Sequence, residues 1–141
     1  MIPFHQVYQT PASERYVAQV LHEGQLSGDG PYTKKCEAFL EHLTASKRVL
    51  LTSSCSTALD MCAMLIDAGP DDEILVPSYT FVTTANAFYN RGARPVFVDC
   101  DPETMNIDPD HAESLVTEKT KAIVPMHYGG VACYMDRIMD L

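Results

Sequence analysis

Residues 49–61, VLLTSSCSTALDM, join a short apolar run to a cluster of small hydroxyl residues and then to an apolar helical pattern. The first turn of a helix presents amide N–H groups without partners in the helix, together with a partial positive charge. Small residues let an anion approach these groups, and hydroxyls add donors. The stretch therefore predicts a strand, a turn and a helix whose N-terminus can hold a phosphate. A simpler alternative is that one serine caps the helix and the others fill space.

The same stretch differs from other phosphate-binding loops, because it contains neither GxxxxGK[ST] nor GxGxxG. A phosphate bound here would belong to another kind of cofactor. Cys55 is an alternative functional group, since a helix N-terminus favours a thiolate. No histidine stands at motif spacing to Cys55, and small buried cysteines are common, so a packing role is the preferred interpretation.

Four β-rich runs recur along the chain with helical patterns between them. RVLLT, EILVPS, RPVFVD and KAIVPMH begin at residues 48, 73, 94 and 121. This alternation predicts the α/β class, with a mostly parallel sheet and flanking helices. The helical patterns SCSTALDMCAMLIDAG and YTFVTTANAFYNRG each end in a glycine suited to terminate a helix, and a third helix begins near Asp108 or Pro109.

The two ends of the chain differ from this pattern. Before residue 48 the sequence predicts two helices, one from about Ser13 to Glu23 and one with Thr33 as its N-cap, joined by the loop GQLSGDGPYT. At the other end, GGVACYMDRIMDL predicts an amphipathic helix that reaches Leu141 without a glycine cap or a closing strand. We expect this domain to continue in a longer parent protein or to be covered by partner subunits.

Composition limits the classes of function. The 141 residues are 46% hydrophobic and 21% charged, which suits one soluble globular domain, and the net charge of −9 disfavours nucleic acid as a partner. Five cysteines without CxxC spacing predict reduced thiols and a cytoplasmic location rather than a disulfide frame or a zinc site. Neither an export signal nor a membrane-spanning run is recognisable, so no membrane partner is expected.

Three longer stretches, taken in order, resemble one protein family. They are LLTSSCSTALDM, DEILVPSYTFVTTANAFYNRGARPVFVDCDPETMNID and KAIVPMHYGGVACYMD. The sequence resembles the DegT/DnrJ/StrS family of sugar-nucleotide aminotransferases. Within that family, MIPF at the start, SGDGPYTKKC and CYMDRIMDL are similar to the enzymes that make dTDP-4-amino-4,6-dideoxygalactose. The resemblance implies pyridoxal 5'-phosphate as cofactor and the N-terminal part of the large domain of a type I, aspartate-aminotransferase-like fold. It divides the chain into an N-terminal helical segment, 1–47, and an incomplete cofactor-binding domain, 48–141, forming a single structural unit.

The resemblance also implies roles for particular residues. The cofactor phosphate falls on Ser56 and Thr57, and the aromatic residue that stacks on the pyridine ring falls on Phe81, for which a core position at the start of a helix is the alternative. The substrate side is expected to include Gly28, Asp29 and Gly30 of the N-terminal loop, and His127 and Tyr128 of HYGG.

The implied reaction transfers an amino group, from glutamate, to the C4 ketone of a dTDP-4-keto-6-deoxyhexose in surface-polysaccharide precursor synthesis. The implied assembly is a homodimer or a higher self-associated state. No lysine of the chain stands in the family's context for the residue that carries the cofactor, so no catalytic residue is assigned and the chain alone is expected to be inactive. The alternatives are an inactive truncated remnant and a phosphate- or nucleotide-binding module.

Overall fold

A computed structural model describes residues 2–141, which form two compact units. One unit ends at Leu51, and the other runs from Thr52 to Leu141. Within the described residues, no helix combines the length and the apolar character needed to cross a membrane.

The first unit contains two helices, α1 (Pro11–Glu23) and α2 (Pro31–Thr44). Thr10 caps α1 by accepting the Ser13 N–H at 3.1 Å. Gly24 ends the helix in the left-handed conformation, as predicted. The prediction of Thr33 as the N-cap of α2 is wrong, because the helix begins at Pro31, whose fixed φ suits the first helical position.

The predicted strand RVLLT does not form. Strand formation depends on backbone pairing, and residues 48–52 pair with no strand among those described. Leu50 and Leu51 are 62% and 43% exposed, so burial does not hold them in an extended conformation either. The apolar composition of the run is therefore a poor guide to its conformation in this structure.

The second unit is built on a three-stranded parallel sheet. Its strands are β1 (Glu73–Pro77), β2 (Arg94–Val98) and β3 (Thr120–Ile123), in the order β2-β1-β3. All five residues of β1 are buried. Ile74 and Val76 pack on one face with Phe88 and Ala63, and Leu75 packs on the other face with the cluster that contains Val98, Ile107, Ala112 and Ile138. The predicted α/β class with a mostly parallel sheet is confirmed.

Helices cover both faces of this sheet. They are α3 (Cys55–Leu65), α4 (Thr83–Tyr89), α5 (Pro109–Leu115), a 3₁₀ turn (Tyr128–Gly130) and α6 (Met135–Met139). The predicted start of α5 is confirmed, with Asp108 as N-cap. The predicted glycine terminus of α3 is wrong, since Ile66 is the C-cap and Asp67, not Gly69, takes the left-handed conformation.

Gly92 ends the α4 segment as predicted. Its φ is +92°, its N–H donates to the Tyr89 carbonyl at 2.9 Å, and the Ala93 N–H donates to the Phe88 carbonyl at 3.2 Å. These two bonds form a Schellman motif, in which a residue without a side chain avoids the steric cost of positive φ. A Cβ on Gly92 would also lie 3.1 Å from Cγ of Pro70.

The strand order determines where a ligand can bind. The connection through α4 places β2 on one side of β1, and the connection through α5 returns the chain to place β3 on the other side. The chain leaves β1 toward α4, which packs on one face of the sheet, and leaves β3 toward α6, which packs on the other face. In open α/β sheets, this arrangement marks a ligand-binding position at the carboxyl ends of the two neighbouring strands. We refer to this position as the crevice.

Replacing Gly92 should destabilise the second unit. We expect Gly92→Ala to lower the free energy of unfolding by about 1–2 kcal/mol, because alanine must adopt positive φ and meet Pro70. Gly69→Ala is the matched control, since its added Cβ meets only Asp72 Oδ2 at 3.9 Å. Urea denaturation measures both, and equal stability of the two variants would contradict the explanation.

The buried carboxylate at the start of β1 should make stability depend on pH. Glu73 is 5% exposed, and its pKa is lowered by the Arg94 guanidinium and by the Thr117 hydroxyl, which donates to it at 2.8 Å. A lowered folded pKa stabilises the fold above the ordinary glutamate pKa of about 4.3, and this stabilisation is lost as the pH falls through the folded pKa.

We therefore expect Glu73→Gln to lower the Tm at pH 7, with a gap from the wild type that narrows on acidification below about pH 4.3. Glu118→Gln, at an exposed carboxylate, should show no such gap. Thermal melts across the pH range measure this, and a gap of constant size between pH 7 and pH 3 would contradict the assignment.

Candidate functional site

Polar and aromatic residues line the crevice at the carboxyl ends of β1 and β3. The β1 loop, residues 78–82, follows β1 with the sequence SYTFV, and residues 126–131, MHYGGV, follow β3. Hydroxyl contacts join the β1 loop and the start of α4 to residue 126, to residue 128 and to α3. The crevice is therefore bordered by segments that are far apart in the sequence.

The α3 N-terminus contributes the hydroxyl cluster of residues 53–57. Ser54 is its cap and accepts the Thr57 N–H at 3.1 Å, while the two hydroxyls lie 2.8 Å apart. Ser56 donates its hydroxyl to Thr83 at 3.1 Å, which ties this end of α3 to the start of α4. The simpler alternative is thus right about Ser54, which is a cap, but Ser56 and Thr57 remain beside first-turn amides that suit an anion.

The β1 loop holds Phe81 in an open position. The ring is 67% exposed, so Phe81 does not occupy the core position considered as its alternative role. Thr80 lies just before it, with its hydroxyl 2.8 Å from that of Thr84 and 3.3 Å from Sδ of Met126. The loop is therefore fixed by polar contacts while the aromatic face stays accessible.

Tyr79 and Tyr128 connect the two sides of the crevice. Their hydroxyls lie 3.1 Å apart, and their ring centroids lie 5.0 Å apart at an interplanar angle of 51°. The hydrogen bond to Tyr79 raises the pKa of Tyr128. Tyr128 therefore lies at the crevice, in the region where the sequence predicted a substrate contact.

His127 lies beyond β3, which ends at Ile123 rather than continuing to the histidine as KAIVPMH suggested. The strand is shortened before Pro125, a residue that lacks the N–H needed for ladder pairing. The His127 Nδ1 accepts the Cys133 N–H at 3.0 Å, which gives the ring a structural hydrogen bond. Its contact with a substrate stays a prediction.

The three loop residues predicted on the substrate side belong to the first unit. Gly30 is the N-cap of α2, and Asp29 has a φ of +62° and pairs with Lys34. Gly28 precedes them in the same bend. Their contact with a substrate also stays a prediction.

Sequence reasoning missed four residues that organise this region, Tyr79, Thr80, Thr83 and Asn106. The first three follow a predicted strand, and that position in an open α/β sheet was an available signal. Asn106 carried no periodic signal, because its partners, Tyr128 and Val131, lie far along the chain.

The fold and the site define an α/β chain with an anion-suited helix N-terminus and an accessible aromatic ring beside the crevice. The family model of the DegT/DnrJ/EryC1/StrS aminotransferases matches residues 8–141, and the chain belongs to this family. Such a family assignment agrees with the resemblance found in the sequence.

Curated relatives are similar over most of this chain. The spore coat polysaccharide biosynthesis protein SpsC of Bacillus subtilis is 40% identical over 87% of this chain and 31% of its own length. The UDP-4-amino-4-deoxy-L-arabinose--oxoglutarate aminotransferase of Shewanella sediminis is 36% identical over 89% of this chain and 32% of its own. The chain therefore spans about a third of the length of these relatives.

Solved structures agree with the fold. An aminotransferase from Psychrobacter cryohalolentis superposes with a TM-score of 0.90 at 33% identity, over 98% of this chain and 35% of that one. Spr1654 of Streptococcus pneumoniae, assigned as a sugar aminotransferase, has a TM-score of 0.87 in its PLP form at 33% identity, over 99% of this chain and 35% of that one. The observed sheet and helices thus match about a third of each of these two enzyme chains.

Removal of the α3 cap should weaken the second unit. We expect Ser54→Ala to lower the free energy of unfolding by about 1 kcal/mol, because the Thr57 N–H loses its acceptor. Ser53→Ala is the control, since Ser53 is exposed and its side chain forms no hydrogen bond with any described residue. Chemical denaturation of both variants measures the difference, and a Ser53→Ala loss as large as that of Ser54→Ala would contradict the cap assignment.

Proposed function

We propose that this chain is the N-terminal, cofactor-binding part of a longer PLP-dependent sugar-nucleotide aminotransferase. The observation that carries the proposal is the convergence of the α3 N-terminus and the Phe81 loop at one crevice, through the Ser56–Thr83 hydroxyl contact of 3.1 Å. Family membership over residues 8–141 supports the same reading. Residues 1–47 and 48–141 are proposed to act together as one unit of that enzyme.

The donor set at α3 fits a phosphate group. The helix has 11 residues, and the Thr57 N–H is bonded to its cap, Ser54. The N–H groups of Cys55 and Ser56 have no carbonyl one turn earlier to bind, and the hydroxyls of Ser56 and Thr57 stand beside them. Both hydroxyls now contact protein oxygens, and a hydroxyl rotor can turn toward a stronger, charged acceptor. Ser56 and Thr57 would hold the phosphate of pyridoxal 5'-phosphate.

Phe81 would contribute a flat apolar surface for the pyridine ring. Its exposure of 67% leaves the face accessible, and the contacts of Thr80 with Thr84 and Met126 restrict the loop beside it. A stacked aromatic ring excludes water from one side of the cofactor and limits its tilt. When bound, pyridoxal phosphate supplies the electron sink for moving an amino group between two substrates.

The substrates proposed are a dTDP-4-keto-6-deoxyhexose, aminated at C4, and glutamate as the amino donor, in polysaccharide precursor synthesis. The name of the Shewanella relative supports a sugar nucleotide aminated at C4 and glutamate as donor, because it pairs oxoglutarate with a 4-amino-4-deoxy sugar; in that relative the nucleotide is UDP and the sugar is arabinose. The name of the Bacillus relative places that protein in spore coat polysaccharide biosynthesis. Tyr128 and His127, with Gly28, Asp29 and Gly30, are the substrate contacts proposed.

The location, partners and assembly proposed for the enzyme follow from its composition and from the family resemblance. A net charge of −9 would repel a nucleic-acid backbone, and we propose a cytoplasmic enzyme without a membrane or nucleic-acid partner. A homodimer is proposed, because the family resemblance implies sites built between subunits.

The lysine that carries the cofactor is proposed to lie beyond the residues present here. A chain of 141 residues would then bind phosphate without completing a transfer. The second candidate is a phosphate- or nucleotide-binding module, which the anion-suited α3 N-terminus also favours. The two candidates differ in whether the full-length protein holds pyridoxal phosphate covalently.

Covalent trapping tests the proposal. We expect borohydride to fix pyridoxal phosphate to one lysine of the full-length protein, detected by mass spectrometry of its peptides. Retention of phosphate binding without any fixed cofactor would support the module instead and would contradict the aminotransferase.

Loss of the phosphate donors should weaken cofactor binding. We expect Ser56→Ala combined with Thr57→Ala to raise the Kd for pyridoxal phosphate roughly tenfold or more, since two hydrogen bonds to a charged group are lost. Ser53→Ala is the control and should leave the Kd unchanged. Absorbance titration measures the three proteins, and an unchanged Kd in the double variant would mean that the phosphate lies elsewhere.

A further inference from the structure

Asn106 is the most deeply buried side-chain amide near the crevice, with an exposure of 2%. Its Oδ1 accepts the Tyr128 N–H at 2.8 Å, and its Nδ2 donates to the Val131 carbonyl at 3.0 Å. The side chain therefore spans the segment of residues 127–131, which we call the glycine turn, from one end to the other. The chemistry of its partners fixes the orientation of the amide, since an N–H requires the oxygen and a carbonyl requires the nitrogen.

Besides Asn106, the glycine turn is held by two backbone bonds of its own, from the Gly130 N–H to the His127 carbonyl at 3.1 Å and from the Val131 N–H to the Tyr128 carbonyl at 3.0 Å. All of its residues are exposed. Gly129 and Gly130 have φ values of +59° and +84°, and because glycine has no Cβ, sterics do not restrict these two residues to a single backbone conformation. Apolar packing therefore does not determine its conformation. The amide of Asn106 supplies two of the hydrogen bonds that join the turn to other described residues, and the Cys133 N–H to His127 bond and the Tyr79–Tyr128 hydroxyl pair supply the others.

Asn106 is itself held firmly. Its neighbour Ile107 is 1% exposed and pairs with Cys100 in an isolated bridge, and the Asn106 carbonyl accepts the Asp101 N–H at 2.9 Å. The preceding residue, Met105, has a φ of +61°, an unfavourable conformation for a residue with a side chain. The loop after β2 thus maintains a strained backbone next to the residue that reaches the glycine turn.

The contacts continue from the glycine turn into the β1 loop. Tyr128 begins the 3₁₀ turn that Asn106 spans, and its hydroxyl lies 3.1 Å from that of Tyr79. Tyr79 precedes Phe81 by only one intervening residue in the same loop. A displacement of the glycine turn would therefore also displace the β1 loop, which carries Phe81.

We propose that Asn106 is a positioning residue, which holds the glycine turn and, through the Tyr128–Tyr79 hydroxyl pair, sets the loop that presents Phe81 to the cofactor. The cofactor in this inference rests on the proposed function, whereas the contacts of Asn106 and Tyr128 are those of the structure itself. Asn106 touches no reacting atom. Its role is to keep two strand-end segments in fixed relation across the crevice.

The test compares two substitutions in the full-length protein, each of which removes a different contact between Asn106 and the β1 loop. Asn106→Asp keeps the side-chain shape but replaces the donor to Val131 with an oxygen, while Tyr128→Phe removes only the hydroxyl that meets Tyr79. Asn86→Asp, at an exposed position on α4, is the control for an added charge. Hydrogen–deuterium exchange of peptides covering residues 125–134 and 73–77 is measured without cofactor, and the Kd for pyridoxal phosphate is measured separately.

We expect Asn106→Asp to speed exchange in the glycine turn roughly tenfold while β1 exchanges as in the wild type. Tyr128→Phe should leave the turn unchanged. Both should raise the Kd for pyridoxal phosphate severalfold, and the double variant should raise it no further than Asn106→Asp alone, because the two changes interrupt one path. Asn86→Asp should match the wild type in both measurements.

Several results would overturn the inference. They are unchanged exchange in the turn, equally faster exchange in the turn and in β1, and additive effects of the two substitutions on the Kd. If Asn106→Asp does not fold, Asn106→Ser, which adds no charge, is measured in its place, and failure of both to fold would make Asn106 a residue of global folding instead. A wild type that binds no pyridoxal phosphate would refute the proposed function, while the exchange results would still test whether Asn106 holds the turn.

Discussion

The fold of the second unit depends on one constraint, which is that β1 is hydrogen-bonded on both sides and buried on both faces. Its pairing with β2 and β3 satisfies the backbone, and its alternating side chains, Ile74 and Val76 against Leu75, join two separate core clusters. Because β1 is central, the segments at its carboxyl end meet those after β3. The crevice and every site residue of this unit are positioned by that arrangement.

Much of this architecture could be predicted from local sequence. The runs at 73 and 94 are β-rich and bounded by turn residues, and Asp108–Pro109 and Gly92 carry helix-end chemistry that acts within a few residues. The prediction of a strand at RVLLT is wrong because a strand requires a neighbouring strand to pair with, and composition does not reveal whether one is present. The prediction of Thr33 as N-cap is wrong because α2 begins earlier, at Pro31, and hydrophobic periodicity locates helix ends only to within a residue or two.

The candidate site was only partly predictable for a related reason. The hydroxyl cluster before α3 has a local signal, since small hydroxyl residues before an apolar helix have a physical use at any helix N-terminus. Asn106 has none, because its function comes from bonds to Tyr128 and Val131 that only the folded chain creates. The same is true of Tyr79, whose partner follows a different strand. The family resemblance implied the cofactor that we propose, and the structure added the contacts between the segments that border the crevice.

The central claim is that the α3 N-terminus and the β1 loop together hold pyridoxal phosphate. The most direct measurement is the electron density of the full-length protein crystallised with that cofactor. The account predicts phosphate oxygens within hydrogen-bonding distance of Ser56 and Thr57, with the pyridine ring against Phe81. A cofactor phosphate bound away from α3, or a ring that does not touch Phe81, would contradict it.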